Sequence, residues 1–213
     1  MIIAIDGPAA AGKGTLARRL AQHFNLAFLD TGTLYRAVGA KVLRAGQDPS
    51  DRAAAAAAAG DLSPSDLAAT ELREERVSEA ASVVAAQPDV RSALLEFQRR
   101  FAHHPPAGKN GAVLDGRDIG TVIVPEPEVI KFFVHAGLTA RAERRFKELQ
   151  ARGDSTTYAR VLQDMTDRDE RDRSRGIAAL RPAADAYDLD TTGLNPDQVF
   201  QKALDHIQSR NRP

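Results

Sequence analysis

Five short apolar runs punctuate the chain: Met1 to Ile5, Ala27 to Leu29, Ala112 to Leu114, Val129 to Val134 and Tyr187 to Leu189. Each is rich in β-branched or large apolar residues, the signature of a strand buried on both faces, and such strands build parallel sheets. Long helical patterns separate them. Leu16, Leu20 and Phe24 recur at four-residue spacing within Lys13 to Phe24, and Leu34, Val38 and Val42 repeat that spacing within Thr33 to Leu43. Both segments are expected to turn one face to a core. The alternation predicts an α/β fold of three layers, a five-stranded parallel sheet covered by helices on both faces.

Residues 48–106 break the alternation and contain no convincing strand, so they are expected to form an inserted helical subdomain within a single domain, whose core is 1–47 and 107–213. The insert opens on Ala53 to Ala59, a strong helix former with little side-chain chemistry, read as a spacer. Val77 to Ala86 and Val90 to Phe101 then read as two helices broken at Gln87-Pro88, with Asp89 as a cap. The turn-rich stretch His103 to Gly111 returns the chain to the sheet. From Leu138 to Arg175 charge dominates: Arg141, Arg144 and Arg145, then Asp167 to Arg175 without a neutral residue except Ser174. Gly153-Asp-Ser divides this stretch, with Ser155 or Asp154 as cap of the second half. A helical hairpin with inward arginines, a lid at about 146–176, is the expectation.

The chain has 213 residues, room for one sizeable α/β core with insertions. Lys plus Arg and Asp plus Glu each total 29, so no global field draws it to nucleic acid or an anionic membrane, and anion binding must be local. The absence of cysteine removes disulfides and thiolate metal sites and fits a reducing compartment. Met1 to Ile5 lacks a basic flank and meets Asp6 at once, unlike a signal peptide, and no apolar stretch approaches spanning length. A cytoplasmic monomer is expected, with no nucleic-acid or membrane partner.

The first apolar run leads straight into Gly7-Pro8-Ala9-Ala10-Ala11-Gly12-Lys13-Gly14-Thr15. Glycines at 7, 12 and 14 let backbone N–H groups and a helix N-terminus converge on phosphate oxygens, and Lys13 adds a mobile positive charge. The match to G-x4-G-K-[ST] is incomplete, because Gly14 stands where a hydroxyl usually ligates magnesium and Thr15 follows one residue later. The metal is then expected on ATP oxygens and water, with protein contact through Thr15 or a strand-end carboxylate such as Asp115. A glycine-rich turn with an incidental lysine is the bland alternative, disfavoured by the preceding strand and following helix. The motif predicts a P-loop enzyme that transfers phosphoryl from ATP to a small acceptor.

Two further strand ends share a theme. Leu29-Asp-Thr-Gly-Thr-Leu-Tyr-Arg36 follows the second run and Leu114-Asp-Gly-Arg-Asp-Ile-Gly-Thr121 the third. Ligands bind at strand C-termini in open α/β sheets, so Arg36 and Arg117 are candidates for an acceptor's phosphate. Either alone would more readily be read as an arginine paired with a neighbouring aspartate. Two on successive strand ends favour an acceptor.

These blocks, with Ala80-Ala-Ser-Val-Val, Val90-Arg91, the Arg168 to Arg175 run and Pro182-Ala-Ala-Asp185, make the chain resemble the bacterial cytidylate kinase family, in family order over nearly its whole length. The resemblance implies the P-loop kinase three-layer fold with a helical CMP-binding insert and a helical lid, and phosphorylation of CMP and dCMP by ATP with Mg²⁺. It places the acceptor phosphate against Thr31, Arg36 and Arg117, the base among Ser82, Arg91, Asp118 and Arg175, and the ribose against Arg168 and Asp172. Arg144 joins residues 7–15 on ATP, and Lys13, Arg36 and Arg117 are the catalytic set. Cytosine presents an amino donor beside two acceptors, which suits a carboxylate flanked by arginines. The sequence departs from the family's pattern between residues 53 and 64, where little room remains for a β-rich element. A kinase for UMP, AMP or shikimate remains an alternative, as does a nucleotide-dependent switch, although no Asn-Lys-x-Asp motif is present.

Overall fold

The computed structural model describes residues 1–174 and 179–210. They fall into two compact units, the described residues of Met1–Leu29 with Ala102–Pro213, and Asp30–Phe101.

The first unit holds the sheet. Strands β1 (Ile2–Asp6), β2 (Ala27–Asp30), β3 (Ala112–Gly116), β4 (Ile130–His135) and β5 (Tyr187–Asp190) run parallel in the order β2-β3-β1-β4-β5. All five apolar runs are strands, as their composition predicts. The strands outlast the apolar runs at their C-terminal ends, where Asp6, Asp30, Asp115 and Asp190 stand. A carboxylate can stay in a buried strand when backbone N–H groups meet it, and Asp6 is met in this way. Helix α1 (Lys13–His23) lays Leu16, Ala17 and Leu20 against Ile3, Ile5, Val113, Phe132 and Val134, and α9 (Pro196–Arg210) adds Val199, Ala203 and Ile207 to the same core.

In the second unit α2 (Thr31–Arg44) packs on α3 (Arg52–Gly60), the one-turn α4 (Pro64–Leu67), α5 (Glu75–Val84) and, through Leu34, Val38 and Val42, on the cluster that includes Val90 and Leu94 of α6 (Pro88–His103). The break at Pro88 is found, with the proline opening α6. The alanine run is more than a spacer, contrary to the reading from composition. Ala54, Ala55, Ala58 and Ala59 are buried, and methyl-sized side chains let helices lie close. Closeness recurs at Gly39 of α2, where a Cβ would stand 3.0 Å from both Ala80 Cβ and Ala81 N of α5. The helical character of this segment agrees with the absence of a β-rich element.

The charged stretch forms α7 (Leu138–Ala151) and α8 (Tyr158–Ser174), packed through Ala142, Leu149, Val161 and Met165. The cap of α8 is Thr157 and neither Ser155 nor Asp154: its hydroxyl accepts the Arg160 N–H at 3.3 Å and its carbonyl the Val161 N–H. Among the described residues no helix is long and apolar enough to cross a membrane.

Candidate functional site

The site is built where β1 and β3 end. Their register pairs Ile5 with Asp115 and Asp6 with Gly116, so Gly7 and Arg117 are the next residues on adjacent strands. Between Gly7 and Lys13 the backbone turns through positive φ at Gly7 (149°), Ala10 (57°) and Gly12 (92°). Gly12 caps α1 with no side-chain hydrogen bond and no acidic residue stands in the first turn, an arrangement that leaves the helix N-terminus to an anion.

Lys13 folds back over this loop. It is 6% exposed, its Nζ donates to the Pro8 carbonyl at 2.9 Å and stands 3.8 Å from Asp115 Oδ1. A Cβ on Gly14 would lie 3.3 Å from Asp115 Oδ2. Thr15 is exposed on the first turn of α1. No group of three or more His, Cys, Asp or Glu among the described residues could cage a metal. Thr15 and Asp115 are hard oxygen donors of the kind that serve Mg²⁺ when phosphates and water supply the remaining ligands.

Beside the loop opens a cleft lined by Ala11, Gly12, Thr15, Leu16, Arg144, Thr191, Leu194, Pro196 and Val199. Arg144, expected on ATP, is fixed at its wall by Thr191, donating to the hydroxyl at 3.0 Å and to the carbonyl at 2.6 Å. Thr191 Oγ1 in turn donates to the Ala11 carbonyl at 3.0 Å. Thr191, Leu194, Pro196 and Val199 were not foreseen. The signal was the Thr-Thr-Gly turn closing β5, since ligands in open α/β sheets bind outside the carboxyl ends of strands.

The Arg117 loop is held from beneath by Asp6, also unforeseen. Asp6 Oδ1 accepts the Ile119 N–H at 2.7 Å and Oδ2 the Gly120 N–H at 2.8 Å, so the carboxylate seats the single π-turn Ile119–Ile123 directly after Asp118. Asp118 is buried and its carbonyl accepts the Val122 N–H. Burial pushes the Asp6 carboxyl up to about 7 against the downward pull of the Gly120 and Ile119 amides; Asp118 adds to the rise and Lys13 opposes it. Its folded value is raised above the ordinary 3.8, so its contribution to stability is fully present below that value and is lost as pH rises through about 7. The Asp6→Asn variant cannot titrate. The melting temperature of the wild type should therefore fall relative to the variant between about pH 5 and 7, and parallel melting curves would contradict the shift.

Arg117 donates Nε to Asp172 Oδ2 at 2.8 Å and Nη1 to the Gly116 carbonyl at 3.2 Å. Asp172 and the half-buried Arg168 lie one turn apart on α8, as their spacing predicts. Arg175 lies outside the described residues. Arg141, one of the inward arginines expected of the hairpin, is buried and committed to Asp169, the Ala136 carbonyl and the Ala9 carbonyl. Arg145 pairs with Glu148 at 3.0 Å.

The second unit carries the remaining candidates. Buried Thr31 opens α2, and Arg36 one turn on donates to Asp30 at 2.8 Å and to the Thr33 hydroxyl at 3.0 Å. The Arg36 and Asp30 side chains remain partly open to solvent, 25% and 30% exposed. Ser82 is buried on α5, and Arg91 of α6 lies 5.6 Å over the Tyr35 ring. Arg36 and Arg117 thus both hold aspartates, but each is a bidentate-capable guanidinium that a phosphate can recruit.

Residues 3–209 match the family model described as cytidylate kinase. The chain is 61% identical to the cytidylate kinase of Paramagnetospirillum magneticum over 209 residues, covering 98% of each chain. It is 53% identical to that of Rhodospirillum rubrum, covering 100% of this chain and 99% of the other. Among solved structures, an uncharacterized protein from Eubacterium ventriosum superposes with a TM-score of 0.59 at 16% identity, covering 99% of both chains. A sugar kinase from Janibacter does so at 0.51 and 15%, covering 98% of this chain and 94% of the other. At such identities the two structures speak to the fold alone.

Proposed function

The chain belongs to the cytidylate kinase family and catalyses ATP-dependent phosphorylation of CMP, and we propose that it does so by direct in-line transfer of the γ-phosphoryl group to a CMP phosphate oxygen, without a covalent enzyme intermediate. The observation that carries this mechanism is the register of β1 and β3, which sets the phosphate loop beside Arg117. The obstacle to transfer is repulsion between two polyanions. Lys13 and the loop N–H groups bind the donor phosphates, Arg117 and Arg36 with Thr31 bind the acceptor phosphate, and orientation plus charge stabilisation supply the rate. Thr15 and Asp115 would hold Mg²⁺, directly or through water, and the ion would neutralise charge on the phosphates. The cleft between Leu16, Arg144, Thr191 and Val199 suits the donor nucleoside, apolar along its walls with a few fixed polar groups.

On the acceptor side, Asp118 accepts from the cytosine amino group, with Ser82, Arg91 and Arg175 completing the base contacts, and Arg168 and Asp172 reach the ribose. The same contacts admit dCMP. The insert of residues 48–106 and the lid are then the acceptor-binding and water-excluding parts of one kinase domain.

A coupled ADP-release assay across CMP, dCMP, UMP and AMP tests the reading, with CMP and dCMP expected to be phosphorylated most efficiently. Asp118→Ala removes one directional base contact worth roughly 1–3 kcal/mol, so the preference for CMP over UMP should narrow by about 5- to 150-fold. A ratio equal to that of the wild type would take Asp118 out of base recognition.

A further inference from the structure

Helix α8 presents two carboxylates on one face, three residues apart, and each is almost wholly buried on a different arginine. Asp169, 4% exposed, accepts from Nη1 and Nη2 of Arg141, at 3.1 and 2.5 Å. Asp172, 2% exposed, receives Arg117 at 2.8 Å. Arg141 does not end there. Its Nε donates to the Ala136 carbonyl at 2.9 Å and its Nη1 to the Ala9 carbonyl at 3.2 Å, within the phosphate loop. Next to Ala9, Ala10 packs on the apolar seam of α7 and α8 formed by Ala142, Leu149, Val161 and Met165, and it keeps a φ of 57° that few alanines adopt.

A buried ion pair contributes little net stability, because two ions lose their hydration, and apolar residues of similar volume often serve as well or better. Packing alone therefore does not account for Arg141 and Asp169 between α7 and α8. Apolar substitutes lack one capacity that this pair has: a donor fixed by the carboxylate and aimed at a phosphate-loop carbonyl. Arg117 is in the same position on the other side, oriented by Asp172 at the loop that follows β3.

We propose that α8 is a rigid tie between the two nucleotide sites, in which Asp169, acting through Arg141, is a positioning residue for the phosphate loop while Asp172 holds Arg117. This rests on the assignment of ATP to the phosphate loop and of CMP to Arg117. Donor phosphates settle the backbone at Ala9 and thereby Arg141 and Asp169. One helical turn along, the acceptor phosphate draws on the Arg117–Asp172 pair. Both ligands bias the placement of one helix, so the affinity for each depends on occupancy of the other, by the same factor in both directions.

Calorimetric titration of the full chain with CMP, alone and with a saturating non-hydrolysable ATP analogue and Mg²⁺, reads this coupling. The wild type should show a change in CMP affinity of about 5-fold or more, and Asp169→Asn should bring the ratio near one; equal ratios in the two proteins would overturn the tie. Asp169→Asn leaves Arg141 buried against a neutral partner and risks unfolding. The double variant Arg141→Met with Asp169→Leu removes both charges and keeps the packing, and it too should lose the coupling; a wild-type ratio in the double variant refutes the proposal. Hydrogen exchange at the backbone amides of residues 9–12, with no nucleotide present, should quicken in either variant, and protection equal to the wild type refutes it as well. That last readout needs no acceptor, so a chain that failed to bind CMP would defeat the functional assignment and still return a result on the tie.

Discussion

Replacing Lys13 by alanine is expected to lower the turnover number by roughly 10²- to 10³-fold, the usual cost of deleting one preorganised charge at a transferring oxyanion. Lys13 is held ready for this work. It spans its own loop, bonded to the Pro8 carbonyl at 2.9 Å and 3.8 Å from the Asp115 carboxylate. A polyphosphate competes well with a neutral carbonyl and with a carboxylate beyond hydrogen-bond distance. The deficit should appear in the rate of transfer, with the Michaelis constant for CMP little changed, because Lys13 belongs to the donor side. Truncation also empties space at a site where the side chain is 7% exposed. Lys13→Met keeps the stem without the charge and should be as slow as the alanine variant; recovery of turnover by methionine would make the lysine a packing residue. Pre-steady-state measurement of ADP formation with both variants decides the matter, and near-normal rates would remove Lys13 from the mechanism.

The strands and the phosphate loop were legible because their information is local. A strand buried on both faces must be apolar throughout, and a loop that wraps phosphate must be glycine-rich next to a lysine, so short windows of sequence carry both. Arg36 and Arg117 stood out for a related reason, as arginines shortly after such strands, whereas Asp118 came only with the family resemblance, and the roles of all three are part of the proposal. What escaped notice lies in pairings between distant residues. Asp6 accepts amides 113 and 114 residues away, Arg141 reaches back 132 residues to Ala9, and Thr191 bonds to Ala11 across 180. In the sequence Asp6 reads only as the polar residue that stops a strand, and Arg141 as one arginine in a charged run. Burial turns them into organising groups, and burial of a charge is visible only once its partners are in place. The alanine run failed differently, because a methyl group announces no chemistry while its small size is what lets α3 pack.

Substitution of Gly7 by alanine should be still more damaging than loss of Lys13, since it acts on the sheet and the site together. Gly7 adopts a φ of 149°, and a Cβ built on it would lie 1.9 Å from the carbonyl oxygen of Val134 and 2.9 Å from its carbon. Those atoms belong to β4, which pairs with β1 from Ile3 to Asp6, so neither backbone can yield without breaking register. The strain of the backbone conformation adds to the clash; for a residue in a left-handed region it is about 1–2 kcal/mol. The whole domain is stable by only about 5–15 kcal/mol, so a combined cost of several kcal/mol should lower the melting temperature by roughly 10 °C or more. Any folded fraction should show a displaced phosphate loop, and a displacement near 1 Å can cost about 10²-fold in rate. Gly12 separates the two causes. It also has a positive φ, 92°, but a Cβ there meets nothing within 4 Å, so Gly12→Ala should show the conformational strain without the collision. Thermal unfolding, measured on both variants, should place Gly7→Ala far below Gly12→Ala in melting temperature. Equal losses would mean that the contact with Val134 is not what requires a glycine at the exit of β1.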